Sequence, residues 1–367
     1  MRFRMRRILS FSLAMMCLTS GITCRADSPA VSAQAYILMD AESGRVLLAH
    51  NETQEKSIAS TTKIMTALVA LEHSEPSDQV TVKREYLREG SSMYLAEGEV
   101  VTMEELLYGL LLPSGNDAAE CIAGACGGRD AFVAQMNEKA AQLGMTHTSF
   151  ANPSGLDEDG HYSCALDMAH LAACAMKNPT FARIAATKTA TAGTRTMGNH
   201  NKLLGSFDGC IGLKTGYTGD AGRTLVTCAE RDGLRLVAVT LHDSSDWTDH
   251  AALYEYGFSV YHSEPAVRRG ADCAVTAVRG GVETSISARA SESFSYPLAE
   301  GETLATKLAL AESVQAPVQK GEKLGELIIL LNGNEVGRID LVSDRAVQAA
   351  SVKKAGLAEK LWRLLSK

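Results

Sequence analysis

The sequence lacks the local signatures of several common enzyme classes. It contains no Gly-x-Ser-x-Gly motif, so an α/β-hydrolase triad built on one of its nine histidines is disfavoured. It contains neither His-Glu-x-x-His nor a Cys-x-x-Cys pair, so the usual spacings of a zinc site are missing. Leu213 precedes Lys214-Thr215 where a phosphate-binding loop has glycine. No metal ion or cofactor is therefore expected.

The chain also lacks a positive charge balance. Its formal net charge is −7, and removal of residues 1–26 takes away five arginines and no acid, which leaves −12. An acidic protein of this kind is not expected to bind nucleic acid. With 367 residues, of which 46% are hydrophobic and 22% charged, the chain is long enough for one large globular domain and a smaller one.

The N-terminal apolar run is too short to span a bilayer comfortably. It extends from Ile8 to about Leu18, behind four arginines, and Cys24-Arg25-Ala26 offers small residues at the −3 and −1 positions of a cleavage site. These features predict that residues 1–26 are a secretory signal peptide, with a retained anchor as the less favoured alternative. The protein is therefore expected to be exported.

Cysteines show no close repeated spacing. Of the nine, seven remain once Cys17 and Cys24 leave with the signal peptide, and an odd number does not suggest a disulfide framework. Most lie in apolar helical or strand contexts and are expected to be small buried side chains, namely Cys121, Cys126, Cys164, Cys174 and Cys228. A single disulfide remains open.

The sequence does contain a serine three residues before a lysine, at the start of a strongly apolar run. Apolar residues at 64, 67, 68 and 71 follow the helical period, which predicts a core helix. Lys63 then lies one turn from Ser60 on the same face, and burial disfavours its charged form, so its amine can accept the serine proton. Free N–H groups at the helix N-terminus would stabilise an oxyanion beside Ser60. Ser60 is therefore the candidate nucleophile.

A second motif, Ser114-Gly115-Asn116, lies in a polar loop between two apolar segments. Residues 103–112 and 117–126 are predicted helices, with Pro113 ending the first. Catalytic side chains are often presented on loops that rigid elements hold in place. The Ser114 hydroxyl is therefore a candidate proton relay, and the Asn116 amide a candidate for holding a peptide bond.

A third motif, Lys214-Thr215-Gly216, is predicted to end a strand beside a hairpin. The glycine lets a ligand backbone approach closely, and Lys214 with Thr215 can bind an anion. Each of the three motifs is weak alone. Their order along the chain makes the set informative.

The pattern of elements predicts an α/β fold. Residues 36–49 read as one β-hairpin, and residues 223–241 read as another that turns through Asp232-Gly233. Strands at both ends around a helical insertion indicate an antiparallel sheet with helices on it and an all-α lobe. A helix over 246–261 closes this domain, and short alternating strands over 264–350 predict a small all-β domain.

Residues 351–367 end the chain as a predicted basic amphipathic helix. Leu357, Leu361 and Leu365 recur at helical spacing, and five basic residues supply a cationic side. This pattern favours binding to a membrane surface. The alternative is a terminal helix docked on its own β domain, since the apolar face is narrow.

Together these motifs resemble those of the serine D-alanyl-D-alanine carboxypeptidases, the low-molecular-mass penicillin-binding proteins, within the penicillin-recognising serine hydrolases. The resemblance covers roughly residues 33–262 and includes Asn152-Pro153-Ser154-Gly155-Leu156, Asn201-Lys202-Leu203-Leu204 and Thr218-Gly219-Asp220-Ala221-Gly222. It implies a β-lactamase/transpeptidase-like fold. The β domain and the tail also match the usual layout of the family.

The resemblance implies three catalytic residues and an oxyanion hole. Ser60 would be acylated, Lys63 would accept its proton, and Ser114 would shuttle the proton. The backbone N–H groups of Ser60 and Tyr217 would bind the oxyanion. Peptidoglycan stem peptides would lose their terminal D-alanine, and β-lactam antibiotics would be covalent inhibitors.

The resemblance also implies a substrate-binding set. Asn116 would position the substrate, and Lys214 and Thr215 would hold the terminal carboxylate beside Gly216. One departure is that Ile58-Ala59 precedes Ser60 where the family often has proline and alanine. Little effect is expected from this difference.

Two other functions remain as alternatives. A β-lactamase would need a Glu-x-x-Leu-Asn-like loop to activate a deacylating water, and the sequence has none. A catalytically idle module that binds the cell wall or senses β-lactams would use the same scaffold. The intact Ser60, Lys63, Ser114 and Lys214 argue against it.

Overall fold

The computed structural model describes residues 27–350 of the chain. The predicted signal peptide, 1–26, and the predicted tail helix, 351–367, lie outside the described residues. Between residues 27 and 350, no helix is both long enough and apolar enough to cross a membrane.

The first part of the described chain mixes helices and strands, and the second part contains strands. The helices are α1 (Lys63–His73), α2 (Met103–Leu111), α3 (Asn116–Ala125), α4 (Arg129–Gln142), α5 (Ala165–Ala175), α6 (Pro179–Ala185), α7 (Leu203–Ser206) and α8 (Asp246–Val260). The strands of the first part are β1 (Ala35–Asp40), β2 (Val46–His50), β3 (Gln79–Thr81), β4 (Val100–Thr102), β5 (Thr189–Ala192), β6 (Arg195–Gly198), β7 (Cys210–Thr218), β8 (Gly222–Arg231) and β9 (Leu234–Leu241). Those of the second part are β10 (Tyr261–Val267), β11 (Asp272–Arg279), β12 (Ser285–Ala290), β13 (Phe294–Ala299), β14 (Leu304–Leu310), β15 (Ser313–Gln315), β16 (Lys323–Leu331) and β17 (Asn334–Ser343).

Five strands form an antiparallel central sheet in the order β2-β1-β9-β8-β7. Side chains alternate between its faces: Ile37 and Met39 join the core under the helical lobe, whereas Leu38 packs in a second core with Leu253 of α8. Helices α5 and α8 therefore cover opposite faces of the sheet. The predicted α/β fold with an antiparallel sheet is confirmed.

The all-α lobe is inserted between β2 and β7. Helix α1 runs through it, with every residue from Lys63 to Ala70 buried, and it contacts α2, α3, α4 and α5. Helix α2 begins at a capping box in which Thr102 and Glu105 satisfy each other's backbone N–H groups. These packed helices fix both ends of the loop that carries Ser114.

The hairpin turn predicted at Asp232-Gly233 is confirmed, and Asn332-Gly333 forms a second turn of the same kind. Asp232 and Gly233 have φ values of 49° and 77°, and Asn332 and Gly333 have 49° and 86°. Positive φ at both central residues gives the type I′ turn, whose twist matches that of the flanking strands. The turns set β8 against β9 and β16 against β17.

The prediction that Lys214-Thr215-Gly216 ends a strand is wrong. Strand β7 continues to Thr218 because its hairpin partner β8 pairs with it up to Gly222. Since β7 is the edge strand of the sheet, the motif still has one free side. Several short elements were not predicted, including α7, the β5–β6 hairpin and α6, although Asn178-Pro179 marks the start of α6.

The C-terminal domain is all-β, as predicted. Six strands form a sheet in the order β14-β16-β17-β12-β11-β15, and β10, which begins at Tyr261 directly after α8, pairs with β13. Arg45 joins the two domains. Its guanidinium donates to Glu302 at 2.6 and 2.8 Å and to the Pro297 carbonyl at 2.6 Å, and it lies 5.2 Å from the centre of the Tyr261 ring.

All seven cysteines between residues 27 and 350 are free. Cys121, Cys164 and Cys228 are buried, as expected of small apolar side chains, and the other four are half-buried. The disulfide that the sequence left open is therefore not formed among these seven.

Candidate active site

Ser60 lies on a short 3-10 turn, residues 59–62, that leads directly into α1. The preceding Ala59 has a φ of 46°, in the left-handed region. Strand β7 passes close by, and a Cβ atom on Gly216 would lie 3.0 Å from the Ser60 backbone nitrogen and 2.3 Å from the Thr224 hydroxyl. Only glycine fits at position 216 without displacing these groups.

Lys63 is fully buried and faces three acceptors. Its Nζ lies 2.9 Å from Ser60 Oγ, 2.9 Å from Asn116 Oδ1 and 2.5 Å from the Ser154 carbonyl oxygen. Burial holds the pKa of Lys63 well below its ordinary value, and the positive charge of Lys214 lowers it further. A neutral Lys63 amine can accept the Ser60 proton through its lone pair.

Ser114 lies in the loop that joins α2 to α3. Ser114 is nearly buried and has a φ of 65°, a conformation that the packed ends of α2 and α3 enforce. Asn116, at the start of α3, accepts from Lys63 and donates its Nδ2 to the Glu89 carbonyl at 3.0 Å. In this structure the Asn116 amide therefore holds Lys63 in position.

Lys214, Thr215 and Gly216 lie on β7. Lys214 is buried and donates to the Thr215 carbonyl at 2.8 Å. Burial lowers the pKa of Lys214 to about 7. Tyr217, three positions after Lys214 on β7, is 72% exposed, so the edge strand opens to solvent at this point.

A cleft of about 660 Å³ unites these groups. The cleft is lined by Ser60, Ser114, Thr215, Gly216 and Tyr217, among others. Lys63, Asn116 and Lys214 are buried beside these residues: Lys63 contacts Ser60 and Asn116, and Lys214 contacts Thr215. All eight residues singled out from the sequence are thus gathered at one place.

The turn at Asn152-Pro153-Ser154-Gly155 is a part of the site whose role the sequence did not reveal. The Asn152 side chain accepts from the backbone N–H of Ser154 at 3.2 Å and of Gly155 at 2.7 Å, which folds the turn. The folded turn then presents the Ser154 carbonyl to Lys63. The Asn-x-Ser-Gly pattern signals a turn, but not its partner.

The lining of the cleft also includes a charged cluster. Arg223 forms an ion pair with Asp246 and lies 5.8 Å from the centre of the Trp247 ring, and Lys202 lies 6.0 Å from the same ring centre. With two cations and one carboxylate, this cluster adds net positive charge to the cleft. No motif links these residues, because they come from the residue before α7, from β8 and from α8.

Comparison with known proteins agrees with this geometry. Residues 22–245 match the D-alanyl-D-alanine carboxypeptidase family, and residues 261–349 match the C-terminal domain of penicillin-binding protein 5. The chain is 32% identical over 360 residues to the D-alanyl-D-alanine carboxypeptidase DacF of Bacillus subtilis, covering 93% of this chain and 91% of that one. It is 31% identical over 359 residues to DacC of Escherichia coli, covering 92% and 88%.

A solved structure shows the same architecture. Penicillin-binding protein 5 from Haemophilus influenzae aligns with a TM-score of 0.75 at 28% identity, covering 88% of this chain and 99% of the other. These matches confirm the family that the three motifs indicated. The chain belongs to the D-alanyl-D-alanine carboxypeptidase family.

Proposed function

We propose that the protein is a serine peptidase that removes the terminal D-alanine from peptidoglycan pentapeptide stems through an acyl-enzyme on Ser60. The observation that carries this proposal is the contact of 2.9 Å between Ser60 Oγ and the buried Nζ of Lys63. A lysine whose charged form is disfavoured by burial is a suitable base for a serine hydroxyl. The family membership supports the same reaction.

In the proposed acylation, a proton passes from Ser60 toward the departing amine, and an ester bond to Ser60 replaces the peptide bond of the substrate. Ser60 Oγ attacks the carbonyl carbon of the penultimate D-alanine while Lys63 takes the hydroxyl proton. The backbone N–H groups of Ser60 and Tyr217 stabilise the oxyanion. As the C–N bond breaks, Ser114 passes a proton to the departing D-alanine amine. A water molecule then hydrolyses the ester and restores Ser60.

Lys214 and Thr215 are proposed to bind the free carboxylate of the substrate. Lys214 donates to the Thr215 carbonyl in this structure, and the incoming carboxylate offers it a charged acceptor instead. An anion favours the protonated amine and therefore raises the pKa of Lys214 above about 7. Asn116 keeps one amide hydrogen for the substrate, since its other contacts are Lys63 and Glu89.

β-Lactams are proposed to acylate the same serine and to leave slowly. Among the described residues that line the cleft, the carboxylate present is that of Asp246, and it is paired with Arg223. No glutamate is therefore placed there to activate water against the ester. This arrangement favours a carboxypeptidase that penicillin inhibits over a β-lactamase.

Mass spectrometry with a labelled penicillin tests the proposal. We expect one adduct on the peptide that contains Ser60, stable for minutes or longer, and no adduct on the Ser60→Ala variant. An adduct on another serine, or rapid release of hydrolysed drug, would overturn the assignment. Rapid release would favour the β-lactamase alternative.

The proposed place of work is the outer face of the cytoplasmic membrane, next to the cell wall. Residues 1–26 have the pattern of a secretory signal, and residues 351–367 have that of a helix that binds a membrane surface. The C-terminal domain would then act as a spacer that lifts the cleft toward its substrate.

A further inference from the structure

Outside the residues assigned above, one buried histidine reaches the backbone of the nucleophile segment. His161 follows the turn that presents Ser154, and it is 6% exposed. Its Nδ1 accepts from the Ala151 backbone N–H at 3.0 Å, and its Nε2 lies 2.8 Å from the Thr62 hydroxyl. Thr62 in turn lies 2.8 Å from the Ala59 carbonyl.

The chemistry of the groups fixes the direction of each of these three hydrogen bonds. A backbone N–H can only donate, so His161 Nδ1 is unprotonated and the neutral ring carries its proton on Nε2. A carbonyl can only accept, so the Thr62 hydroxyl donates to Ala59. Thr62 must then accept from His161, which gives a relay from His161 through Thr62 to the Ala59 carbonyl. Burial keeps the ring neutral by lowering the pKa of His161 to about 4.

The relay ends on the peptide group that joins Ala59 to Ser60. The N–H of this peptide group is the proposed oxyanion donor of Ser60. A hydrogen bond to the carbonyl of a peptide polarises it and strengthens its N–H as a donor. The same bond fixes the plane of the peptide, and so the direction in which the N–H points. Outside support is needed here because Ala59 has a φ of 46°.

We infer that His161 is a positioning residue for acylation, which acts through Thr62 to orient and polarise the peptide between Ala59 and Ser60. The inference rests on the proposed function, because it requires Ser60 to be the nucleophile. His161 touches no reacting atom. Its loss should therefore slow the acylation step and leave the initial binding of substrate unchanged.

Two substitutions separate the roles of the ring nitrogens. His161→Asn keeps an acceptor for Ala151 but removes the donor to Thr62, whereas His161→Gln extends an amide donor to the Nε2 position. We expect His161→Asn to lower the maximal acylation rate by a fluorescent penicillin about tenfold, less than the roughly 10²–10³ for losing an oxyanion donor outright. His161→Gln should recover most of the rate. The dissociation constant of the initial complex should stay the same in both.

Two controls complete the test. His73→Asn changes an exposed histidine at the end of α1 and should leave the rate at the wild-type value. Thr62→Val removes the middle hydroxyl and should slow acylation as much as His161→Asn. The double variant of Thr62→Val with His161→Asn should be no slower than either single one, because both break one relay.

Wild-type rates in both His161→Asn and Thr62→Val would overturn the inference. Equal losses in His161→Asn and His161→Gln that follow their melting temperatures would overturn it too, since they would indicate a purely structural role. Wild-type protein that forms no adduct on Ser60 would instead overturn the proposed function, and this inference with it. The wild-type measurement thus distinguishes the two failures.

Discussion

Gly155 lies against the carbonyl group of Ala59 so closely that a Cβ atom on Gly155 would be 1.9 Å from the carbonyl oxygen. Ala59 immediately precedes Ser60, and Ser154, next to Gly155, accepts from Lys63 through its own carbonyl. The same turn therefore braces both the proposed nucleophile and the proposed base. A substitution that moves this turn should disturb both.

Gly155→Ala should lower the free energy of unfolding by about 2–5 kcal/mol, because a left-handed residue with a Cβ costs about 1–2 kcal/mol and overpacking adds about 1–3. Acylation of Ser60 should fall as well. Gly160→Ala is the matched control, since Gly160 has a φ of 80°, close to the 82° of Gly155, and nothing within 4 Å of a Cβ atom. Urea unfolding and penicillin labelling measure both effects. Equal destabilisation by the two variants would contradict the role given to the contact with Ala59.

The contact between Lys63 and Ser60 could be predicted from sequence because it is local. Residues three apart share a helical face, and the apolar run around Lys63 predicts its burial. Its other partners are 53 and 91 residues away at Asn116 and Ser154, and the second is a backbone carbonyl, which carries no signature of residue type. Such contacts depend on how the helical lobe packs against α1. The sequence therefore predicts the reacting pair but not what surrounds it.

The same limit explains why the sequence did not point to the charged cluster around Trp247. Arg223 is the second residue of β8 and Trp247 is the second residue of α8, and each has an ordinary local pattern. They meet because β8 runs beside β9 and the chain then turns into α8 across the sheet. The predicted end of β7 lies too early in the sequence for a related reason. Its last residues, Tyr217 and Thr218, pair with Arg223 and Gly222 of β8, a contact that the motif alone does not indicate.

Lys214→Ala should lower kcat/KM on peptides ending in D-Ala-D-Ala by about 2–4 kcal/mol, the range for truncating one partner of a desolvated charge pair. The physical reason is that Lys214 is buried and would leave the substrate carboxylate without its cation. Steady-state kinetics on a pentapeptide give the value. As a control, a peptide with a C-terminal amide should be a poor substrate for both forms. Normal cleavage by the variant would show that Lys214 does not bind the substrate carboxylate.

The pH profile of kcat/KM should fall on the alkaline side, with a midpoint near the pKa of Lys214, about 7. The free enzyme binds the carboxylate through the protonated amine, and this form is lost as the pH rises through that pKa. Lys63 acts in the opposite sense, because it must be neutral, and its lowered pKa moves the acidic limb to lower pH. The peptide amide carries no carboxylate and should lose the alkaline limb. An unchanged alkaline limb with the amide would assign that limb to another group.

The protein should lose stability as the pH falls below about 6.5, before carboxylates titrate. Burial lowers the pKa of His161 to about 4 and that of His250 to about 3, from 6.5. Below pH 6.5 these histidines bind a proton in the unfolded chain but stay neutral in the folded protein. Each therefore lowers the free energy of unfolding by up to about 1.4 kcal/mol per pH unit. Urea unfolding between about pH 7 and about pH 5 measures the slope. His250→Gln should make it shallower, and a slope that this variant leaves unchanged would show that other groups control it.

Residues 351–367 should bind the purified mature protein to membranes. Leu357, Leu361, Trp362, Leu364 and Leu365 supply the apolar side of the predicted helix. Each could contribute at most about 1.5–3 kcal/mol if it were fully removed from water, and helix ordering and partial burial reduce the total. The five basic residues add an attraction to anionic lipid that salt weakens. Binding should therefore be reversible and stronger to anionic than to neutral vesicles.

Co-sedimentation with vesicles, comparing the mature protein with a form that ends at residue 350, measures the effect. Equal partitioning of the two forms would contradict the membrane role of residues 351–367. It would favour the alternative in which the tail packs on its own β domain.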